Sequence, residues 1–146
     1  MGFTGPLEDR IAIQELNATY GDAVSMRDKD GFGHCFATDA TWHLPWREPV
    51  HGRDAIVELW VEQIANYPFL NFSGFVGALE INGDRASGRL WTREVVADEA
   101  GLSSQVTGRY DHEYIKRDGR WYYFNKTFTP LHGMENIVTD EAEPAQ

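Results

Sequence analysis

Cysteine is nearly absent: Cys35 is the single thiol among 146 residues. It can close no internal disulfide and cannot build a zinc knuckle or an iron–sulfur site, so the composition fits a reducing, cytoplasmic setting. Positive charge is also scarce. Thirteen Lys and Arg stand against 23 Asp and Glu, a net charge of −10, which opposes association with phosphate backbones and anionic lipid surfaces. Neither nucleic acid nor a membrane is expected as a partner. No run approaches the ~20 apolar residues of a membrane span, and residues 1–9 show no basic region leading into an apolar stretch, so no leader is expected. The histidines His34, His43, His51, His112 and His132 show no paired i, i+4 spacing, and a metal site is not expected. A glycine-rich turn between strand and helix is missing, as is a serine in a nucleophile elbow. Internal repeats and low-complexity linkers are missing too.

What is present is the composition of a folded domain: 42% hydrophobic, 13% aromatic and 25% charged residues. The length suits one domain, read as residues 1–132. Residues 133–146 hold Glu135, Asp140, Glu141 and Glu143 with only isolated apolar side chains and read as a loosely ordered acidic tail, one that could dock on a neighbouring subunit.

Leu7, Ile11, Leu16, Tyr20 and Val24 recur every four or five positions and predict a long first helix within residues 6–28. Asp28 and Asp30 can cap a short second helix carrying Phe32, Cys35 and Phe36, ended by Thr38-Asp39. Trp42, Leu44 and Trp46 then alternate with polar residues, the mark of a strand, and Pro45 suggests a sheet edge. Ile56, Leu59, Trp60 and Ile64 lie on one face of a third helix that starts near Asp54. Strands follow over residues 69–81, 85–97, 103–116 and 120–130, joined by Asn82-Gly83, Glu99-Ala100-Gly101 and Asp118-Gly119, residues that accept turn geometry. The expected fold is α+β: three N-terminal helices packed on a strongly curved, mostly antiparallel sheet that encloses a pocket. Glycines inside the strands, Gly74, Gly77, Gly88 and Gly108, allow the bulges that curve it.

This order of elements resembles the SnoaL-like family of the nuclear transport factor 2-like superfamily over roughly residues 7–130. The marks are Ala12-Ile13-Gln14-Glu15-Leu16, then Phe36-Ala37-Thr38-Asp39-Ala40-Thr41-Trp42, then Gly52-Arg53-Asp54-Ala55-Ile56. Gly108-Arg109-Tyr110, Tyr114 and Asp118-Gly119-Arg120-Trp121 complete them. The resemblance implies a cone-shaped fold with a cavity between sheet and helices. Similar enzymes, scytalone dehydratase and hexachlorocyclohexane dehydrochlorinase, use an Asp and a His as a general-base pair. The corresponding positions here look like Ser25 and Phe72, neither of which abstracts a proton unaided near neutral pH. That dyad is not carried over.

The strand over residues 85–97 offers a replacement. Leu90, Thr92, Glu94 and Val96 share one face, and the resemblance places that face toward the cavity. A glutamate among such neighbours is poorly solvated and its pKa rises toward the useful range of a base, which makes Glu94 the leading catalytic candidate; a register shifted by one residue would leave it solvated. Lys126 looks like the cavity Arg of the dehydrochlorinase and could steady Glu94 or an oxyanion, or else snorkel at the surface. Tyr110 could donate to a ligand oxygen, and His112 on the same face could add acid–base capacity or lie solvated at a strand end. Tyr20 and Ser25 would face the cavity mouth from the first helix, with Asp22 off that stripe. Trp42, Leu44, Trp46, Trp60 and Phe72 would line a wall suited to flat aromatic ligands, or serve as plain core. Arg89, Arg93 and Arg109 fall on outward faces with Trp91, and an exposed Trp there suggests a subunit interface. A homo-oligomer, trimer or dimer, is expected, as in similar proteins.

The resulting expectation is a cofactor-independent lyase on a small aromatic, phenolic substrate, working by elimination or by retro-aldol-type C–C cleavage. An isomerase or cyclase on a polyketide- or steroid-like substrate would use the same pocket. A non-catalytic ligand-binding or assembly subunit is the alternative that the missing dyad favours.

Overall fold

The computed structural model describes residues 2–134. In chain order the elements are β1 (Phe3–Thr4), α1 (Leu7–Met26), α2 (Lys29–His34), β2 (Phe36–His43), β3 (Val50–His51) and α3 (Arg53–Ile64). Four long strands follow, β4 (Phe69–Asn82), β5 (Arg85–Ala97), β6 (Ser103–Arg117) and β7 (Arg120–His132). They form an antiparallel meander, as the turn residues predict, with Gly83, Asp118 and Gly119 at positive φ in the two tight connections. The whole sheet runs β1-β4-β5-β6-β7-β2-β3. The β1–β4 and β2–β7 pairs are parallel and the rest antiparallel, so the sheet is mixed and stays open. Three helices pack on its concave side, giving the cone-shaped α+β fold. Among the described residues no helix is long and apolar enough to cross a membrane.

The inner face of α1 departs from the stripe read in the sequence. Leu7 and Ile11 are exposed, while Ile13, Leu16, Tyr20 and Val24 are buried together with Asp9 and Asn17. The two polar residues anchor the helix. Asp9 accepts from Trp121 Nε1 at 3.0 Å and Lys116 Nζ at 3.1 Å, and Asn17 joins two tyrosines of the sheet. Binary patterning misses such positions because it counts polar residues as outward. At α2 the boundary also moves. The helix ends at His34, capped by Asp28, and Phe36 to Asp39 are already strand. Pro45 lies in the turn beyond β2, and β2 is not the sheet edge, because β3 pairs outside it.

Register shifts bend the sheet. Phe124 has no partner between the Asn125–Glu113 and Tyr123–Tyr114 pairs, and Gly77 has none between Val76–Leu90 and Ala78–Arg89. A Cβ on Gly77 would sit 2.8 Å from Trp91 Nε1, so the bulge is where that indole closes down. Trp91 is accordingly half-buried on the outer face and not fully exposed. The extra residue at Phe124 reverses the side-chain alternation, so Trp121, Tyr123, Lys126 and Phe128 are all buried although strict alternation would separate Tyr123 from Lys126. Strict alternation would set Tyr122, Phe124 and Lys126 on one face and Trp121, Tyr123 and Asn125 on the other; the bulge is what brings the lysine to the side of Tyr123.

Candidate active site

Between the mouth-facing end of α3, the end of β2 and the inner faces of β5, β6 and β7 lies a cavity of about 100 Å³. For scale, a 150 Å³ apolar void accepts benzene, so the space suits about one aromatic ring. Trp42, Leu44 and Trp46 reach it from β2 and the turn after it, Trp60, Gln63 and Ile64 from α3, and Val106, Tyr110 and Phe128 from β6 and β7. The aromatic wall is locked by ring contacts. Phe32 stacks on Trp60 at 4.1 Å with 5° between planes, and Tyr20 meets Phe72 and Tyr123 edge-on at 5.4 and 5.5 Å.

Glu94 is the carboxylate of this cavity. Its strand neighbours on the same face, Thr92 and Val96, are buried, and its cross-strand partners are Phe72 and Val106. Glu94 itself is half-buried and lines the cavity. Burial pushes its carboxyl up to about 7, against a smaller opposing pull from Lys126. Among the described residues no side chain hydrogen-bonds that carboxyl, so both oxygens are free to meet a ligand. Tyr110 stands nearby with its hydroxyl oriented. Its oxygen accepts from Trp42 Nε1 at 3.3 Å, and the Tyr20 phenol adjoins it. With its oxygen so occupied, Tyr110 has its proton left to donate. Burial nevertheless holds both phenols above the usual tyrosine range.

Behind the tyrosines lies a buried polar chain. Tyr123 donates to Asn17 Oδ1 at 2.6 Å, and Asn17 Nδ2 donates to the Tyr114 oxygen at 3.0 Å. Tyr114 lies 3.0 Å from His112 Nδ1, and His112 Nε2 lies 2.9 Å from Lys126 Nζ. Burial lowers His112 well below the ordinary histidine value, and it lowers Lys126 well below the ordinary lysine value. Both ring nitrogens of His112 are thus engaged, Nδ1 by Tyr114 and Nε2 by Lys126, and the contacts run unbroken from Tyr123 to the lysine. The Lys126 nitrogen also lies 3.8, 3.7 and 4.2 Å from the ring centres of Tyr20, Tyr110 and Tyr123. Lys126 has no accessible surface. It touches the two tyrosines that reach the cavity but does not itself line it.

The candidates named from sequence therefore divide. Tyr20, Trp42, Leu44, Trp46, Trp60, Glu94 and Tyr110 come together around the cavity. Lys126 and His112 lie behind it, and Thr92 is buried beside Glu94 without lining it. Ser25 and Phe72 meet each other, the serine Oγ accepting from Phe72 N at 2.9 Å, but at a separate groove between α1 and β4. Asp22 is exposed on that same groove. Of the expected tail, Gly133 is buried and Met134 lines the cavity; the remainder, 135–146, lies outside the described residues.

Sequence reasoning missed Gln63, Tyr67, Leu70, Val106, Phe128 and Met134. Gln63 is one turn after Trp60, and Phe128 two residues after Lys126, so helix and strand periods could have found both. Tyr67 follows the helix with no periodic signal. Among the described residues no group of three or more His, Cys, Asp or Glu could hold a metal ion.

A family model described as a SnoaL-like domain matches residues 5–126. No curated protein sequence matches the chain significantly. Among solved structures, a protein of Novosphingobium aromaticivorans provisionally named an aromatic ring hydroxylase is 27% identical, with TM-score 0.78 over 88% of this chain and 93% of its own. A type 2 hexachlorocyclohexane dehydrochlorinase is 24% identical, with TM-score 0.76 over 87% and 91%. A second protein of N. aromaticivorans, provisionally named a scytalone dehydratase, is 15% identical, with TM-score 0.79 over 86% of each chain. The latter two likenesses speak to the fold alone. On the extent of the family match, and on a fold that agrees with it from α1 to β7, the chain belongs to the SnoaL-like family.

Proposed function

We propose that the cavity is the active site of a cofactor-independent lyase that takes a small phenolic compound of one ring. Glu94 carries this reading: a carboxyl that lines the cavity, hydrogen-bonded by no side chain among the described residues and raised to about 7, is half ionised at neutral pH and so can both take and return a proton. Tyr110 supplies the donor for a developing oxyanion on the ring, and the aromatic wall excludes bulk water. In an elimination, Glu94 removes a C–H proton, the released pair forms the C=C bond, and the C–O bond on the next carbon breaks. The departing hydroxide takes the proton back from Glu94 and leaves as water. If a carbinol O–H is deprotonated instead, its C=O forms as the adjacent C–C bond breaks, and that pair passes to a proton or to a leaving group further along. A para-hydroxyl on the ring eases either course by spreading charge onto its oxygen. Two of the fold neighbours bear names of eliminating enzymes, which agrees with this reading without carrying it.

Turnover of a panel of para-hydroxyaryl carbinols, followed by product mass, tests the proposal. A lyase yields products lighter than the substrate by water or by a carbonyl fragment, and kcat/KM rises through about pH 7 as Glu94 ionises. Glu94→Gln is expected to lose at least 10²-fold of that activity, the lower end for a positioned base. Products of unchanged mass would point to an isomerase, and a Glu94→Gln chain with unaltered turnover and pH profile would remove the base from the reaction.

A further inference from the structure

We propose that the indole N–H of Trp46 and the carboxamide N–H of Gln63 form a second polar subsite in this cavity, which receives a neutral acceptor oxygen at the end of the substrate remote from Glu94. This rests on the lyase reading for which end reacts, and it narrows the substrate class to phenols bearing a second oxygenated group, a carbonyl, ether or hydroxyl.

Both nitrogens are buried and have no hydrogen-bond partner among the described residues. Both residues line the cavity. A buried donor without an acceptor is destabilising and uncommon in a folded protein, and two in one cavity call for an acceptor that arrives with a ligand. An indole nitrogen can only donate, so what Trp46 lacks is an acceptor. Trp46 contacts Phe128 edge-on at 6.3 Å between ring centres, and Tyr110 contacts that same phenylalanine at 4.9 Å, so both lie along one wall of the cavity with Phe128. A single ring lying against Phe128 would set its phenol by Tyr110 and its substituent by Trp46 and Gln63.

The sign of the second group follows from the lining. Glu94 is the acidic residue among the described lining side chains, and no Lys, Arg or His is among them; Lys126 lies behind the tyrosines with no accessible surface and so cannot touch a ligand. A carboxylate would enter without a countercharge and beside an acid. A neutral oxygen fits two neutral donors.

Calorimetric titration of the full chain with 4-ethylphenol and with 4-hydroxyacetophenone tests this, since the ketone carries a carbonyl where the other has a benzylic methylene. The ketone is expected to bind at least tenfold tighter, and Trp46→Phe or Gln63→Leu to cut that preference to threefold or less. Glu94→Gln is expected to keep it. Equal affinities in the native chain overturn the subsite, whether or not either variant folds, and so does a preference left intact by both Trp46→Phe and Gln63→Leu. Tighter binding of 4-hydroxybenzoate than of the ketone overturns the neutral-oxygen assignment. A preference that persists in a Glu94→Gln chain still turning over substrate leaves the subsite standing and overturns the lyase reading instead.

Discussion

Ionising Glu94 costs fold stability, because its burial favours the protonated carboxyl. The folded chain keeps that proton to about pH 7, whereas an ordinary glutamic acid releases it near 4.5. Between those values the folded state binds more protons than the unfolded one, so the stability tied to protonated Glu94 is complete below about 4.5 and is lost as pH rises through 7. The loss amounts to about 3 kcal/mol above pH 8, from the linkage of a pKa shift to folding. Gln carries no such proton and fills nearly the same volume. Glu94→Gln should therefore gain on the native chain by about 3 kcal/mol between pH 4.5 and 8, read as a rise in its relative urea midpoint; a gap that stays constant with pH would show a solvated carboxyl. Lys126 and His112 contribute in the opposite sense. Burial holds each below its ordinary value, so an unfolded chain takes up their protons more readily and acid favours unfolding.

At the scale of elements, the cone was legible where period and turn chemistry agree and illegible where a single extra residue intervenes. The four-strand meander could be read because Asn82-Gly83 and Asp118-Gly119 leave little freedom in register, and Glu94 could be placed because β5 keeps its alternation. The bulge at Phe124 has no sequence signal, since Trp121 to Phe124 is aromatic on both faces, yet it decides that Tyr123 and Lys126 both turn inward. Asp9 and Asn17 were hidden for a related reason: the side chains that receive them lie on strands more than ninety residues away. The glycines carry their own test. A Cβ on Gly108 would lie 2.4 Å from the Phe128 ring and 3.2 Å from the Thr129 carbonyl. Gly108→Ala must push that ring toward the cavity, and it is expected to destabilise the chain by about 1–3 kcal/mol and to weaken 4-ethylphenol binding at least threefold by titration. Unchanged affinity would mean that Phe128 does not shape the bound-ligand space.

For the whole molecule, the SnoaL-like cone supplies a place and not a chemistry. Helices and sheet converge on a space of about 100 Å³, and the chain sets one carboxyl into it while the residues at the dyad positions, Ser25 and Phe72, satisfy each other in an outer groove. A net charge of −10 discourages anionic partners and leaves a neutral aromatic free to enter. Everything chemical then turns on whether that enclosed carboxyl is poised near neutrality. Carbon-13 NMR of the glutamate carboxyls, followed across pH in the native chain and in Glu94→Gln, reads this directly. One resonance absent from the variant should titrate near pH 7. If every glutamate resonance of the native chain instead titrates at or below about 4.5, where free glutamic acids do, the cavity holds no base and the account fails.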